Sequence, residues 1–348
     1  MTCPDEMTWV GLPGRGVAVR VMATGVLDLD QEHCHSEASN QGNGKHAMAV
    51  GCELGESRAR ALLKDACALA GYDPEDARLL RVGSNAVFRL AAPVVARISR
   101  QSAEIDQAHR TVDVARWLES VDYPAVRLAY AKNEQPIVVD GHAITFWHAV
   151  SADGDEYASV AEVAEVLARL HRLTAPDSLQ LPAFAPFRNA SQRIADNDWL
   201  SNENRSFLTE MLADMHSRYS RLSFALPQGV IHGDAGIGNV LHDFRGEAVV
   251  IDLDGFAIGP REWDVALTAI YYDSFGWHTR AEYETFVRVY GFDILQWPGY
   301  PAMRAIREFL MVTWVIQKAN ESEDAAEEAS KRIRALRTGA SRKDWEPY

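Results

Sequence analysis

Positive charge is in short supply in this chain, where 35 Lys and Arg stand against 49 Asp and Glu for a formal net charge of −14. Such a surface repels phosphate backbones, so nucleic acid is excluded as a partner and a cationic or polyhydroxylated small ligand suits it better. Long apolar stretches are also missing, since none approaches the ~18 residues needed to span a bilayer. The N-terminal MTCPDEMTWVGLPGRG has no basic region leading into an apolar core, which argues against a secretory signal. A cytoplasmic protein without a membrane partner is therefore expected. Cysteine is sparse, and Cys3, Cys34, Cys52 and Cys67 all fall in the first 70 residues. Cys34 between His33 and His35 invites a zinc reading, but no second CxxC or HxxxH supplies the remaining ligands, so reduced thiols fit better. GxxxxGK(S/T) occurs nowhere, which excludes a P-loop.

What is present is an ordinary globular composition, 47% hydrophobic and 24% charged over 348 residues, long enough for two lobes with separate cores. Residues 1–52 differ from the rest: Gln31–Lys45 is polar, aperiodic and rich in His, Ser, Asn and Gly, as in a loop or disordered extension, with Val17–Met22 as one possible strand. Residues 53–150 alternate like a small mixed lobe dominated by antiparallel pairing. There a helix is predicted over 57–71 with Gly71 as its C-cap, and strands over 79–82, 85–90 and 94–98. An amphipathic helix over 102–118 follows, then two strands around Asp140-Gly141. A polar hinge at Ser151–Asp155 leads into 151–348, where helices are predicted at 190–222, 262–274, 280–290, 301–320 and 324–337. One strand-rich island, Gly229–Ile251, interrupts them.

That island carries the chemistry. An apolar strand delivers His232-Gly233-Asp234, a glycine-bearing loop follows, and Asn239 comes five residues after the Asp; one hairpin later, Val249-Val250-Ile251 leads into Asp252-Leu253-Asp254-Gly255. Phosphoryl transfer calls for these residue types together. A carboxylate such as Asp234 orients an incoming hydroxyl and accepts its proton, while Asn239 and Asp252 offer hard oxygens to a metal bridging phosphates. Gly236 and Gly238 are expected to let the loop turn sharply.

The paired motif resembles the aminoglycoside phosphotransferase and choline kinase-like phosphotransferase family, with its HGDxxxxN and IDxD segments, over roughly residues 55–340. The resemblance implies an α+β, two-lobed protein kinase-like fold, with a small antiparallel-sheet N-lobe that binds nucleotide and a mainly helical C-lobe. It implies ATP and Mg2+ as cofactors and a small-molecule hydroxyl acceptor, with an aminoglycoside-like antibiotic among the possibilities. Asp234 takes the catalytic-base position, Asn239 and Asp252 the metal positions, and His232, Asp254 and Asp264 supporting ones. His171, after Ala168-Arg169-Leu170, reads as packing or capping. Gly83, Ser84 and Asn85 fall where a shortened glycine loop covers phosphates, and Arg97 falls at the phosphate-pairing basic position, usually Lys. Thr111 stands where the following helix usually carries a Glu to pair that base. Glu104 or Asp113 could substitute, or phosphate alone could hold Arg97.

Other readings remain. Val249–Gly255 also resembles the nucleophile motif of haloacid dehalogenase-type phosphatases, in which Asp252 would attack phosphate covalently. A DxD glycosyltransferase, or a catalytically silent nucleotide- or ligand-binding homologue, is a further alternative. The acids Asp153, Asp155 and Glu156 read as a solvated linker. Tyr271, Tyr272, Asp273 and Trp277, with the face of Arg304, Arg307 and Glu308, are expected to shape an acceptor pocket.

Overall fold

Period-two patterning in the first half builds a single antiparallel sheet. The computed structural model describes residues 54–82, 85–100, 104–151 and 156–347. The expected extension 1–52, the Gly83-Ser84 turn, and Asp153 and Asp155 lie outside the described residues.

Helix α1 (Glu56–Ala70) buries Leu62, Leu63 and Ala66 and ends at Gly71, which takes the left-handed conformation its lack of Cβ permits. Strands β1 (Arg78–Val82), β2 (Asn85–Arg89) and β3 (Val94–Ser99) follow, then α2 (Ile105–Ser120), β4 (Ile137–Val139) and β5 (His142–His148). The sheet runs β1-β2-β3-β5-β4, every neighbour antiparallel, with Arg97 of β3 opposite Thr145 of β5. α1 covers one face, and Phe88, Ile98, Ile144 and Phe146 fill the space between them without solvent contact. α2 belongs to a different core: its Val114, Ala115, Trp117 and Leu118 pack with residues of the helical lobe. This placement sets α2 against the Asp254 turn.

The second half is mainly helical. α3 (Val160–Leu170) opens with a capping box between Ser159 and Glu162. The helix predicted over 190–222 is two helices, α4 (Ala190–Ala195) and α5 (Asn202–Ser220). They divide because the Asn197 amide oxygen accepts from Leu200 N–H in a turn and Ser201 then caps α5. β6 (Gln228–Ile231) precedes the catalytic-type loop, and β7 (Val240–His242) pairs β8 (Ala248–Val250) as the expected hairpin. One strand was not anticipated. β9 (Ala257–Pro260) pairs antiparallel with β6, and its terminal Gly259-Pro260 disguises it in the sequence. α6 (Glu262–Asp273), α7 (Arg280–Tyr290), α8 (Tyr300–Val315) and α9 (Glu323–Thr338) complete the lobe. No described helix is long and apolar enough to cross a membrane.

Backbone bonds lock the β7–β8 hairpin beneath the sheet. Val126 N–H donates to Val250 C=O at 2.8 Å, Val250 N–H to Pro124 C=O at 2.9 Å, and Ala158 N–H to Val240 C=O at 3.0 Å. The segments that leave and re-enter the sheet lobe thus anchor the hairpin that carries Asp252.

Candidate functional site

Strand β6 ends at His232, and the loop that follows hangs on a single carboxylate. Asp264, in the first turn of α6 and fully buried, accepts from His232 N–H at 2.7 Å and Gly233 N–H at 2.9 Å. Its Oδ2 also meets His171 Nε2 at 3.1 Å, and His171 Nδ1 reaches the Tyr290 hydroxyl at 2.7 Å. Burial alone would raise the Asp264 pKa, but the bonds from His171 and from the His232 backbone outweigh it and hold the carboxyl below its ordinary value. His171 therefore braces α3 and α7 against the loop.

His232 itself points to the next loop, with its Nε2 at 2.9 Å from Ile251 C=O. The two loops also meet backbone to backbone. Gly233 has φ +88°, and a Cβ there would lie 2.5 Å from Gly255 C=O; one on Gly255 would lie 2.6 Å from His232 C=O. The glycines required are thus 233 and 255. The expectation for Gly236 and Gly238 is corrected: neither takes a left-handed φ, and Gly236 instead makes room for Leu267 and Tyr271.

Asp234 and Asn239 sit on one short turn. Asn239 Nδ2 donates to Asp234 C=O at 2.7 Å and to its Oδ2 at 3.2 Å. That leaves the Asn239 amide oxygen as the face available to a cation. Ile251 N–H donates to Asn239 C=O at 3.0 Å, which brings Asp252 alongside. Asp252 adopts φ 56°, ψ 63°, a left-handed conformation that Asp tolerates better than most side chains and that recurs at functional sites. Its side chain is 41% exposed and that of Asp234 65%. Both carboxylates are accessible to a ligand.

Asp252 lines a cleft of about 230 Å³ together with Leu80, Val87 and Val95 of the sheet, Trp147 and Val150 at the hinge, and Leu241 and Ile251. Its lining is mostly apolar, and Arg97 is part of it. The sequence left the partner of Arg97 open, and the structure places Asp254 there. Arg97 Nη1 donates to Asp254 Oδ1 at 3.0 Å, Nη2 donates to Oδ2, and Nη1 lies 3.4 Å from Asp252 Oδ1. The Asn85 amide, oriented with its oxygen toward the guanidinium, accepts from Nη2 at 2.7 Å and Nε at 3.0 Å. Burial works against the Arg97 charge, yet Asp254 and Asp252 raise its pKa further. Asp113 is committed elsewhere, 3.6 Å from Arg116, and Glu104 accepts from Arg100 N–H. Gly83 and Ser84 lie outside the described residues, so of the expected phosphate loop only Asn85 is placed.

Arg307 on α8 was foreseen only as part of a helix face. Its guanidinium stacks 4.5 Å over the Trp263 ring, and Nη2 lies 3.6 Å from Asp234 Oδ1. Tyr271 is half-buried nearby, and desolvation with the Asp234 charge pushes its hydroxyl pKa up. Trp277 packs on Phe275 and Tyr271, and Tyr272 stacks on Tyr283. Only the reach across three elements reveals Arg307, because its spacing matches any helix face.

A two-lobed, kinase-like phosphotransferase is the class that this fold and cleft define. Residues 76–306 match the phosphotransferase enzyme family (APH), two-thirds of the chain, and the chain belongs to that family. Membership of a phosphotransferase family sets aside the phosphatase and glycosyltransferase readings of Asp252. A homoserine kinase of Beijerinckia indica subsp. indica is 33% identical over 132 residues, which cover 36% of this chain and 39% of that protein. The match thus spans about two-fifths of the relative's length. Among solved structures, amicoumacin kinase in complex with AMP-PNP and Ca2+ superposes with a TM-score of 0.65 at 12% identity, over 84% of this chain and 98% of that one. A microcompartment-associated aminopropanol kinase gives 0.62 at 18% identity, over 79% and 94%. Spectinomycin phosphotransferase with ADP and its antibiotic gives 0.58 at 14% identity, over 79% and 93%. At such identities the likeness is one of fold.

Proposed function

We propose that this chain transfers the γ-phosphoryl group of ATP, with Mg2+, to a hydroxyl of a small molecule, with Asp234 as the catalytic base. The observation that carries this reading is the convergence of Asp234, Asn239 and Asp252, the last of which lines a largely apolar cleft together with Arg97. The apolar cleft suits a purine, and Arg97 suits the phosphates.

The donor set also suits the metal. Among the described residues no three His, Cys, Asp or Glu gather into a cation site. An ion held by the Asn239 amide and the Asp252 carboxylate would need phosphate and water oxygens to complete its shell, which is how Mg2+ is usually bound. When bound, it neutralises charge that develops on the phosphate oxygens. Asp234 accepts the proton of the acceptor hydroxyl, whose oxygen forms the new bond to the γ-phosphorus. The bond to the β-phosphate oxygen breaks, and ADP departs with that electron pair. Arg307, beside Asp234, restrains the carboxylate's orientation.

The acceptor is best read as a small amino alcohol or hydroxy amino acid. On the α6–α8 side the acids are matched by arginines: Asp273 with Arg304 at 2.6 Å, Glu308 with Arg342 at 3.2 Å, and Asp234 with Arg307. Such a surface offers little unpaired negative charge to a polycationic aminoglycoside. The partial likeness to a homoserine kinase points the same way. The test is ATP consumption with Mg2+ across homoserine, amino alcohols and aminoglycosides. We expect turnover with one of the first two classes, and Asp234→Ala to lower kcat by roughly 10³-fold or more while nucleotide binding survives. Undiminished turnover in that variant would refute the mechanism, and binding of nucleotide without turnover on any acceptor would favour the silent homologue.

A further inference from the structure

We propose that Asp254 is the positioning residue for Arg97, supplying from the C-lobe the acid that α2 lacks, so that the nucleotide clamp forms across the lobes. The inference rests on the reading that Arg97 meets nucleotide phosphates.

Four observations support it. α2 presents Thr111, 4% exposed, at the site where the family resemblance expects an acid. The Thr111 hydroxyl donates to Asp254 Oδ1 at 2.9 Å, with Gln107 C=O as its alternative acceptor at the same distance. Both carboxylate oxygens of Asp254 face the Arg97 fork, a bidentate arrangement that fixes the guanidinium plane as a lone ion contact does not. On the α2 side of the pair lies a cavity of about 210 Å³, bounded by Glu104, Gln107, Thr111 and Asn189. That is the space a longer acid at 111 would enter.

The origin of the acid matters physically. A glutamate on α2 would reach Arg97 from the helix, whereas Asp254 belongs to the loop that bears Asp252. Asn85 holds Arg97 from within the sheet, but the bidentate contact that fixes the guanidinium plane forms only when the C-lobe loop meets the sheet. Arg97 also lies 3.4 Å from Asp252, so the same guanidinium offsets charge at the metal position before a cation arrives. The occupied oxygens of Asp254 distinguish this role from that of a second metal ligand, which would have to give up Arg97 and Thr111.

The test measures Mg·AMP-PNP binding by calorimetry, and turnover against Mg2+ concentration, on the full chain as wild type, Asp254→Asn, and Asp254→Asn combined with Thr111→Glu. We expect Asp254→Asn to weaken nucleotide binding by roughly tenfold, the cost of a lost charge-assisted pair. The Mg2+ concentration for half-maximal turnover should stay unchanged, and the added Thr111→Glu should restore most of the affinity. Wild-type affinity in Asp254→Asn overturns the proposal. So does a raised Mg2+ requirement that Thr111→Glu leaves unrepaired, because that marks a metal ligand. Should Asp254→Asn fail to fold, Thr111→Val keeps the shape and removes the hydroxyl; a few-fold loss of nucleotide affinity supports the proposal and unchanged affinity overturns it. If the wild type binds no Mg·AMP-PNP, the phosphotransfer reading itself fails, a result visible before any variant is compared.

Discussion

The two ends of the cleft are held by different means. At the catalytic end, Asp234 rides on a loop whose backbone N–H groups are bonded to buried Asp264 and whose glycine abuts Gly255. Every one of those contacts lies within the C-lobe. At the nucleotide end, one arginine of the sheet is oriented by a carboxylate of the other lobe and by Asn85. The first arrangement is internal to one lobe, and the carboxylate contact of the second exists only where the lobes meet. Under the proposed roles, the base is positioned by contacts of one lobe and the phosphate-facing arginine by contacts of both.

The largest effect should follow from breaking the catalytic end. Asp264→Ala strands two backbone donors and His171 in a buried site, at a cost of about 3–5 kcal/mol. Chemical denaturation should show that loss, and turnover should disappear with it. Gly233→Ala comes next, since φ +88° and a 2.5 Å approach to Gly255 C=O leave no room for a methyl. We expect a destabilisation of at least ~1–3 kcal/mol and a fall in kcat larger than any change in nucleotide KM. If stability and kcat both hold, the two loops do not depend on their backbone contact.

Arg97→Met separates the ends. It should raise the nucleotide KM by roughly tenfold or more while acceptor KM stays within about twofold, because it removes a phosphate cation and leaves the Asp264 framework intact. An equal rise in both constants would show that the ends are not independent. The smallest effect concerns His242, which joins β7 to Glu162 of α3 at 3.0 Å. The hydrogen bond to Glu162 raises its pKa above the ordinary value. Its stabilisation is therefore fully present below the unfolded-state pKa of about 6.5 and is lost as pH rises through the higher folded-state value. His242→Ala should cost less than about 1 kcal/mol near pH 6 and nothing measurable near pH 9, read as the difference in Tm from the wild type.

Much of this was legible in the amino-acid order. The hairpin strands, the α1 stripe with Gly71, and the frame from His232 to Asp252 all rest on local rules: alternation, caps, and residues a few positions apart on one loop. β9 was hidden because Gly259-Pro260 looks like a turn until β6 lies beside it. The break between α4 and α5 was hidden because Asn197 and Ser201 stop a helix through side-chain bonds that helical periodicity does not register. Gly236 and Gly238 drew attention through position alone, whereas the need for glycine at 233 and 255 arises from two backbones meeting 22 residues apart in sequence.

By itself the sequence determined the side chains on offer: a carboxylate and an amide on one short loop, a second carboxylate one hairpin later, and a basic residue on a strand. These depend on residue type and short spacing, which the chain carries in its order. Only the tertiary structure decided which acid serves Arg97. Glu104, Thr111 and Asp113 follow it within 16 positions, but Asp254, 157 positions away, is the residue whose carboxylate meets it. Ion pairing follows distance in space, and the packing of α2 on the Asp252–Gly255 turn sets that distance.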